Sequence, residues 1–348
     1  MARVRTVTGE IDSAELGPTI FHEHILLDGR GAWRPPAEGD EEGARIAQEP
    51  VSMEFLGRLR EDPYLSLHNT SLDDVDTAVD ELDRFALAGG RTVVDVTPAA
   101  VGRDPHALRT IAERTGLNII MSCGYYLERT HAPEVAELRT DELADRIAAD
   151  VTDGVDGVHA GVIGEVGVGM GFTPAEERIL RASARAQVRT GVPLAVHLPG
   201  WLRHGDRVLD ICEEEGANLD ATVLAHMNPS WIDPAYQFRL ADRGAWLGYD
   251  MLGMEFYYPG EGQSPSDEEN AAAIARLIKR GYAGRLLLGH DVFLKTLLCR
   301  YGGRGYAHVL TGFADRLERH GVPRDVLMGV LTDNPRALFE LAADGRGL

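Results

Sequence analysis

The stretch Pro18-Thr19-Ile20-Phe21-His22-Glu23-His24-Ile25 is a short apolar run carrying two imidazoles, and four later runs repeat the arrangement. Glu165 stands in Gly161-Val162-Ile163-Gly164-Glu165-Val166-Gly167, and His197 ends Pro193-Leu194-Ala195-Val196-His197. His226 ends Val223-Leu224-Ala225-His226, and Asp291 ends Leu286-Leu287-Leu288-Gly289-His290-Asp291. Residues i and i+2 of a strand share a face, so His22 and His24 are expected to point the same way. The same alternation turns Glu23 and His290 to the opposite face. Burying so many polar groups at strand ends is costly unless something pairs them. Four imidazoles and two carboxylates make a coordination shell for two divalent ions.

Apolar β-type runs fall near 18–25, 91–97, 117–125, 161–168, 193–198, 222–227, 245–250 and 285–291. Helical patterns lie between and after them, near 72–88, 104–115, 139–152, 174–190, 205–216, 233–243, 267–281, 305–320 and 323–341. Two helix starts carry capping boxes, Thr173-Pro174-Ala175-Glu176 and Ser266-Asp267-Glu268-Glu269. Strands alternating with helices indicate an α/β protein with a parallel sheet. An open doubly wound sheet would gather its site at one switch point, usually after a glycine-rich turn. Here the ligand candidates sit at or near the C-terminal ends of strands one, four, five, six and eight, and only a closed barrel brings those ends around one mouth.

The expected fold is therefore a (β/α)8 TIM barrel, a single domain over 1–348, with long loops after strands 1 and 7. A typical barrel takes about 250 residues. The excess sits in 28–71, rich in Pro, Gly and Glu, and in 251–266; both emerge on the catalytic side, as walls of a site or as solvated insertions.

Composition narrows the partners. A formal charge of -20 over 348 residues argues against nucleic acid and against an anionic membrane surface. Cys123, Cys212 and Cys299 are widely spaced and odd in number, so neither a disulfide framework nor a cysteine zinc site is expected. Met1-Ala2-Arg3-Val4-Arg5 lacks the apolar core of a signal peptide, and no run reaches membrane-spanning length. A cytoplasmic protein acting on a small molecule is the expectation.

Glu165, between Gly164 and Val166 in an otherwise apolar strand, would be an unsatisfied buried carboxylate without a cation, whereas the other candidates each have a bland explanation alone. A His-x-His can simply pack, His197 and His226 can be satisfied core histidines, and Asp291 can cap a helix. A joint metal site accounts for all of them at once. His68, His106, His159, His204, His308 and His320 lack ligand spacing and are expected to pack or face solvent. His131 follows strand three on the catalytic side and is a candidate for substrate contact. So are Tyr126 after strand three, Asp250 and Glu255 after strand seven, and Arg304 after strand eight, where barrel anion sites often form. Tyr125, Arg300 and Tyr306 lie in the same loops.

The chain resembles the phosphotriesterase-related proteins of the amidohydrolase superfamily over nearly its whole length. The resemblance rests on Leu16-Gly17-Pro18-Thr19-Ile20-Phe21-His22-Glu23-His24, Gly161 to Gly167, Thr173-Pro174-Ala175-Glu176-Glu177 and Gly289-His290-Asp291 with Lys295. Tyr301-Gly302-Gly303-Arg304-Gly305-Tyr306 and Asp333-Asn334-Pro335 complete it. It implies a binuclear centre with His22, His24 and Asp291 on one metal, His197 and His226 on the other, and residue 165 bridging. The best-known members bridge with a carboxylated lysine, but the only lysines here are Lys279 and Lys295. Glu165 can bridge directly as a carboxylate, so the resemblance places the chain in the glutamate-bridged branch. Homodimers are compatible with that resemblance.

Zinc is the first expectation for the two metals, with manganese, cobalt or iron as alternatives. Metal binding lowers the pKa of water towards about 7. The expected chemistry is attack of a bridging hydroxide on the carbonyl of an N-acyl amide, lactone or carboxylic ester, with Asp291 as the catalytic proton acceptor. The alternatives are phosphoester or phosphotriester hydrolysis and a catalytically silent metal-binding barrel.

Overall fold

Val-, Ile- and Leu-rich runs form eight short strands, in keeping with a sheet covered on its outer face. They are β1 Thr19–Glu23, β2 Thr92–Asp95, β3 Asn118–Cys123, β4 Val162–Gly167, β5 Leu194–His197, β6 Thr222–Leu224, β7 Trp246–Tyr249 and β8 Leu286–Leu288. They pair in sequence order, every ladder parallel. The computed structural model describes residues 2–344, so Met1 and 345–348 of the expected 1–348 domain lie outside the described residues.

The helices are α1 Glu41–Gln48 and α2 Leu56–Glu61, which pack together in the insertion after β1, then α3 Val75–Leu87, α4 Pro105–Thr115, α5 Thr140–Thr152, α6 Pro174–Thr190, α7 Gly205–Glu214, α8 Pro234–Asp242, α9 Asp267–Lys279 and α10 Gly312–Arg319 around the strands, and α11 Arg324–Asp344. Both capping boxes form, Thr173 with Glu176 at α6 and Ser266 with Glu269 at α9. This is the expected (β/α)8 barrel.

Alternation divides each strand between two cores. One side chain from every strand, Phe21, Val94, Ile120, Val162, Ala195, Val223, Trp246 and Leu287, joins a cluster that Leu338 and Phe339 of α11 complete. Their neighbours, such as Ile20, Val93, Ile119, Leu247 and Leu288, pack with the covering helices. The first set fills the lumen below the site, so the ligands beyond it stand on a packed floor. Asn334 ties α11 to β8 by donating from Nδ2 to the carbonyls of Ala283 and Leu286, each at 2.7 Å.

The seam between β1 and β8 is closed by groups the sequence turned away from the metal face. Glu23 accepts hydrogen bonds from the His290 backbone at 2.8 Å, His290 Nδ1 at 2.7 Å and the Val292 backbone at 3.2 Å. The Asp291 N–H donates to the His22 carbonyl at 3.1 Å. At Gly289 the strands approach so closely that a Cβ would lie 2.2 Å from the Phe21 carbonyl oxygen. Gly289→Ala is therefore expected to cost about 1–3 kcal/mol as an overpacking change, read as a lower urea midpoint. Its partner effect is weaker metal retention, because the strand carrying Asp291 must move.

Several elements were not legible. Arg3–Thr6 and Gly9–Asp12 form an antiparallel hairpin ahead of β1. The segment 28–71 contains α1 and α2, and 251–266 contains a small hairpin of Tyr257–Tyr258 with Gly262–Gln263. The helical pattern expected from 305 starts only at Gly312, because Gly305 is left-handed at φ 64° and the Tyr306 hydroxyl is tied to the His24 carbonyl at 2.9 Å. Among the described residues no helix is long and apolar enough to cross a membrane.

Candidate metal centre

β1 carries His22, β4 Glu165 and β5 His197, while His24, His226 and Asp291 stand just past β1, β6 and β8. Plain alternation does not govern β1. His22 has φ 85°, and the β1–β2 register shifts between Phe21 and Glu23. His226 and Asp291 are also left-handed, at φ 57° and 48°. A non-glycine residue rarely adopts this backbone, and such strain collects at functional sites. Here it aims three side chains across the mouth where ideal strands would not.

The structure brings all six expected ligand residues together. His24 Nε2 lies 3.2 Å from Asp291 Oδ1 and 3.3 Å from Glu165 Oε1. The other oxygen, Glu165 Oε2, lies 3.0 Å from His197 Nδ1, 3.4 Å from His22 Nε2 and 3.8 Å from His226 Nε2. His226 Nε2 and His197 Nδ1 are 2.9 Å apart. His22, His24 and Asp291 offer donor atoms to one common point, and His22, Glu165 and His226 to a second.

The donor set fits metal ions. Neither ring nitrogen of buried His22 makes a hydrogen bond, although carboxylate oxygens lie 3.4 Å from both. Such an orphan is expensive unless a cation sits against it. Burial, the largest influence on His24, opposes its charge, but Asp291 and Glu165 outweigh it and raise the imidazole to about 10. Burial likewise opposes a charged His226, and Asp250 with Glu165 overcomes it. Glu165 and Asp291 are held below the usual carboxylate range: burial pulls upward, and the surrounding imidazoles override it. Without metal the cluster needs protons to balance two buried carboxylates; divalent cations supply that charge and free the imidazoles as ligands.

Neighbouring groups fix the rings. His24 Nδ1 is 2.9 Å from Thr97 Oγ1, and His226 Nδ1 donates to Asp250 Oδ1 at 2.9 Å. Asp250 also accepts the His226 backbone N–H at 2.9 Å. Its carboxylate stands behind the ligand, outside the cavity, so the expected substrate contact at Asp250 is replaced by a ring-orienting role. Asp250→Asn is expected to weaken metal affinity by roughly 10–100-fold, the usual cost of losing such support. Competition with a chromophoric chelator measures it; unchanged affinity would remove that role.

Above the ligands opens a cavity of about 630 Å³, bordered by His24, Glu165, His197, His226 and Asp291. Both long loops wall it: Leu27 to Ala32, Tyr64 and Thr70 from the first, and Met251, Met254, Tyr258 and Glu261 from the second. Tyr126 lines it too, with its hydroxyl 3.5 Å from His197 Nδ1. The other expected substrate contacts lie elsewhere. His131 Nε2 braces the Tyr126 carbonyl at 2.8 Å, Glu255 accepts the Asp267 N–H at 3.1 Å, and exposed Arg304 packs beside Gly253. The sequence reading missed Tyr64, Arg129, Trp201, Glu261 and Phe293, all in the cavity wall. Aromatic and charged residues scattered through loops have no spacing that distinguishes a wall from a surface.

A model of the phosphotriesterase family matches residues 2–339. The chain belongs to the phosphotriesterase family. N-acetyltaurine hydrolase of Tetraodon nigroviridis is 34% identical over 340 residues, spanning 96% of this chain and 97% of that one. A resiniferatoxin-binding protein from Rhodobacter sphaeroides matches with a TM-score of 0.95 and 50% identity, over 97% of this chain and 95% of that one. A lactonase from Listeria monocytogenes matches with a TM-score of 0.77 over 97% of this chain and 99% of that one; at 24% identity it speaks for the fold. This phosphotriesterase-family chain is a hydrolase.

Proposed function

We propose that the chain is a binuclear metal-dependent hydrolase of an N-acyl amide, with lactones and carboxylic esters as the neighbouring substrate class. The observation that carries the reading is Glu165, whose two oxygens face different imidazoles, Oε1 towards His24 and Oε2 towards His197, beneath an open cavity. His22, His24 and Asp291 would hold one ion and His197 and His226 the other, with Glu165 shared. Zinc leads for this donor set. When bound, the metals supply Lewis acidity, acidifying the attacking water and polarising the scissile carbonyl.

The chain's own groups do the rest. Asp291 Oδ1 lies 3.2 Å from His24 Nε2, whereas Oδ2 stands 4.0 Å from His226 Nδ1. Oδ2 is the oxygen placed to accept a proton from the attacking water and deliver it to the leaving nitrogen or oxygen. Burial holds the Tyr126 phenol well above its usual value, so it stays protonated and can donate a hydrogen bond to a substrate oxygen.

Amide hydrolysis ranks first because the chain resembles N-acetyltaurine hydrolases along almost its full length and bears glutamate at 165. A binding barrel without turnover is the second reading, favoured by the name of the 50% identical relative. Asp291 bordering the cavity counts against it. Metal analysis of protein purified without added metal, with a hydrolysis screen of N-acyl amino acids, lactones, esters and phosphoesters, tests the proposal. Two metals per chain and amide turnover support it; metal with no turnover favours the binding barrel. Failure to retain metal even after reconstitution overturns both.

A further inference from the structure

The wall of the cavity contains two arginines, Arg30 and Arg129. Arg30 is already committed, because Asp28 grips it from two oxygens at 2.7 and 2.6 Å. Arg129 is different. Among the described residues its guanidinium makes no ion pair and no hydrogen bond, yet it borders the same cavity as the ligand cluster. In a chain of net charge -20, where most arginines bind a neighbouring carboxylate, a cation left open beside a site is conspicuous.

The loop that presents Arg129 is rigid. It occupies the middle of a 3-10 turn, Glu128–Thr130, three residues beyond Tyr126. The Thr130 N–H donates to the Leu127 carbonyl at 2.8 Å and the His131 N–H to the Glu128 carbonyl at 3.0 Å. The Thr130 hydroxyl adds a bond to Leu127 at 2.7 Å, and the His131 ring braces Tyr126. Glu176, the buried capping residue of α6, accepts the Glu128 N–H at 3.4 Å and the Gly169 N–H at 3.1 Å, locking this turn to the loop after β4. The guanidinium's field reaches the phenols of both Tyr126 and Tyr64, which come from different walls of the cavity. The other open charge in the wall, Glu261, lies on the loop after β7; it opposes Arg129 at Tyr64 and also raises Tyr258.

We propose that Arg129 is the specificity-determining residue for an anion, selecting substrates that carry a carboxylate or sulfonate and orienting that group towards the loop after β3. This rests on the amide-hydrolase reading above. The planar fork of an arginine suits either anion, since both present paired oxygens to two N–H donors. Glu261, on the loop after β7, repels the same group, so the anion is steered towards the loop after β3.

The test uses charge twins, N-benzoylglycine and its primary amide, with the metal-loaded full chain. Affinity is measured by calorimetry, and hydrolysis of both twins is followed in parallel. The native protein is expected to favour the anionic twin by about tenfold, the worth of one charge-assisted hydrogen bond at a partly solvated rim. Arg129→Gln should bring that ratio to within about twofold, Arg129→Lys should retain part of it, and about 0.5 M salt should shrink it in the native protein. Glu261→Gln should keep or enlarge the ratio. A ratio that survives in Arg129→Gln, or equal affinities in the native protein, overturns the proposal. Should neither twin be hydrolysed while the affinity ratio still depends on Arg129, the amide-hydrolase reading falls and the anion site stands.

Discussion

Asp291→Asn is expected to reduce kcat by about 10²–10⁴-fold, the range for loss of a positioned proton acceptor, while most of the metal stays bound. Asparagine keeps the shape of the side chain and an oxygen at the position of Oδ1, which lies 3.2 Å from His24 and 3.8 Å from His22. What it loses is the basic lone pair at Oδ2, the oxygen farther from the imidazoles. The backbone N–H of residue 291 still donates to His22, so the left-handed turn that aims the side chain is retained. Steady-state rates measured alongside metal content separate the roles. A near-native rate with full metal would remove Asp291 from proton transfer, whereas parallel loss of rate and metal would make it a ligand alone.

Glu165→Gln is expected to do the reverse, removing metal first and activity with it. Glu165 is the group both halves of the cluster share, and its carboxylate touches His24 through one oxygen and His197, His22 and His226 through the other. A neutral amide leaves four imidazoles competing for two cations with one carboxylate gone. Metal affinity should fall by more than the roughly 10–100-fold that removing an outer supporting group costs. The metal-free protein should suffer too, because removing one partner from a buried charge cluster costs about 3–5 kcal/mol. Equilibrium dialysis gives the first quantity and denaturant unfolding in chelator the second. Native metal content in Glu165→Gln would mean that the carboxylate does not bridge.

These two substitutions bear on residues that could be named from the sequence, and the reason is local. Glu165 interrupts an otherwise apolar strand and Asp291 ends an apolar run, so both stand out against their immediate neighbours. The capping boxes at Thr173 and Ser266 were readable on similar grounds, since the partners lie three residues apart. Asp250 shows where that logic stops. It too follows an apolar strand, and only its 2.9 Å contact with His226 Nδ1 places it behind a ligand rather than against substrate. Glu23 and His290 were turned from the metal face by alternation, but their pairing needed two strands 267 positions apart to meet at the barrel seam.

The amino-acid sequence by itself determined the barrel, the order of its strands and the identities of the candidate ligands, because hydrophobic period and chain order are one-dimensional properties. It excluded a lysine bridge by composition alone, since no lysine precedes Lys279. The tertiary structure decided what depends on distance and direction. The left-handed turns at His22, His226 and Asp291 aim the ligands inward. The loops 28–71 and 251–266 enclose a cavity of about 630 Å³. Arg129 stands open at its wall while Arg30 is held by Asp28, a difference set by which carboxylate each guanidinium can reach in space.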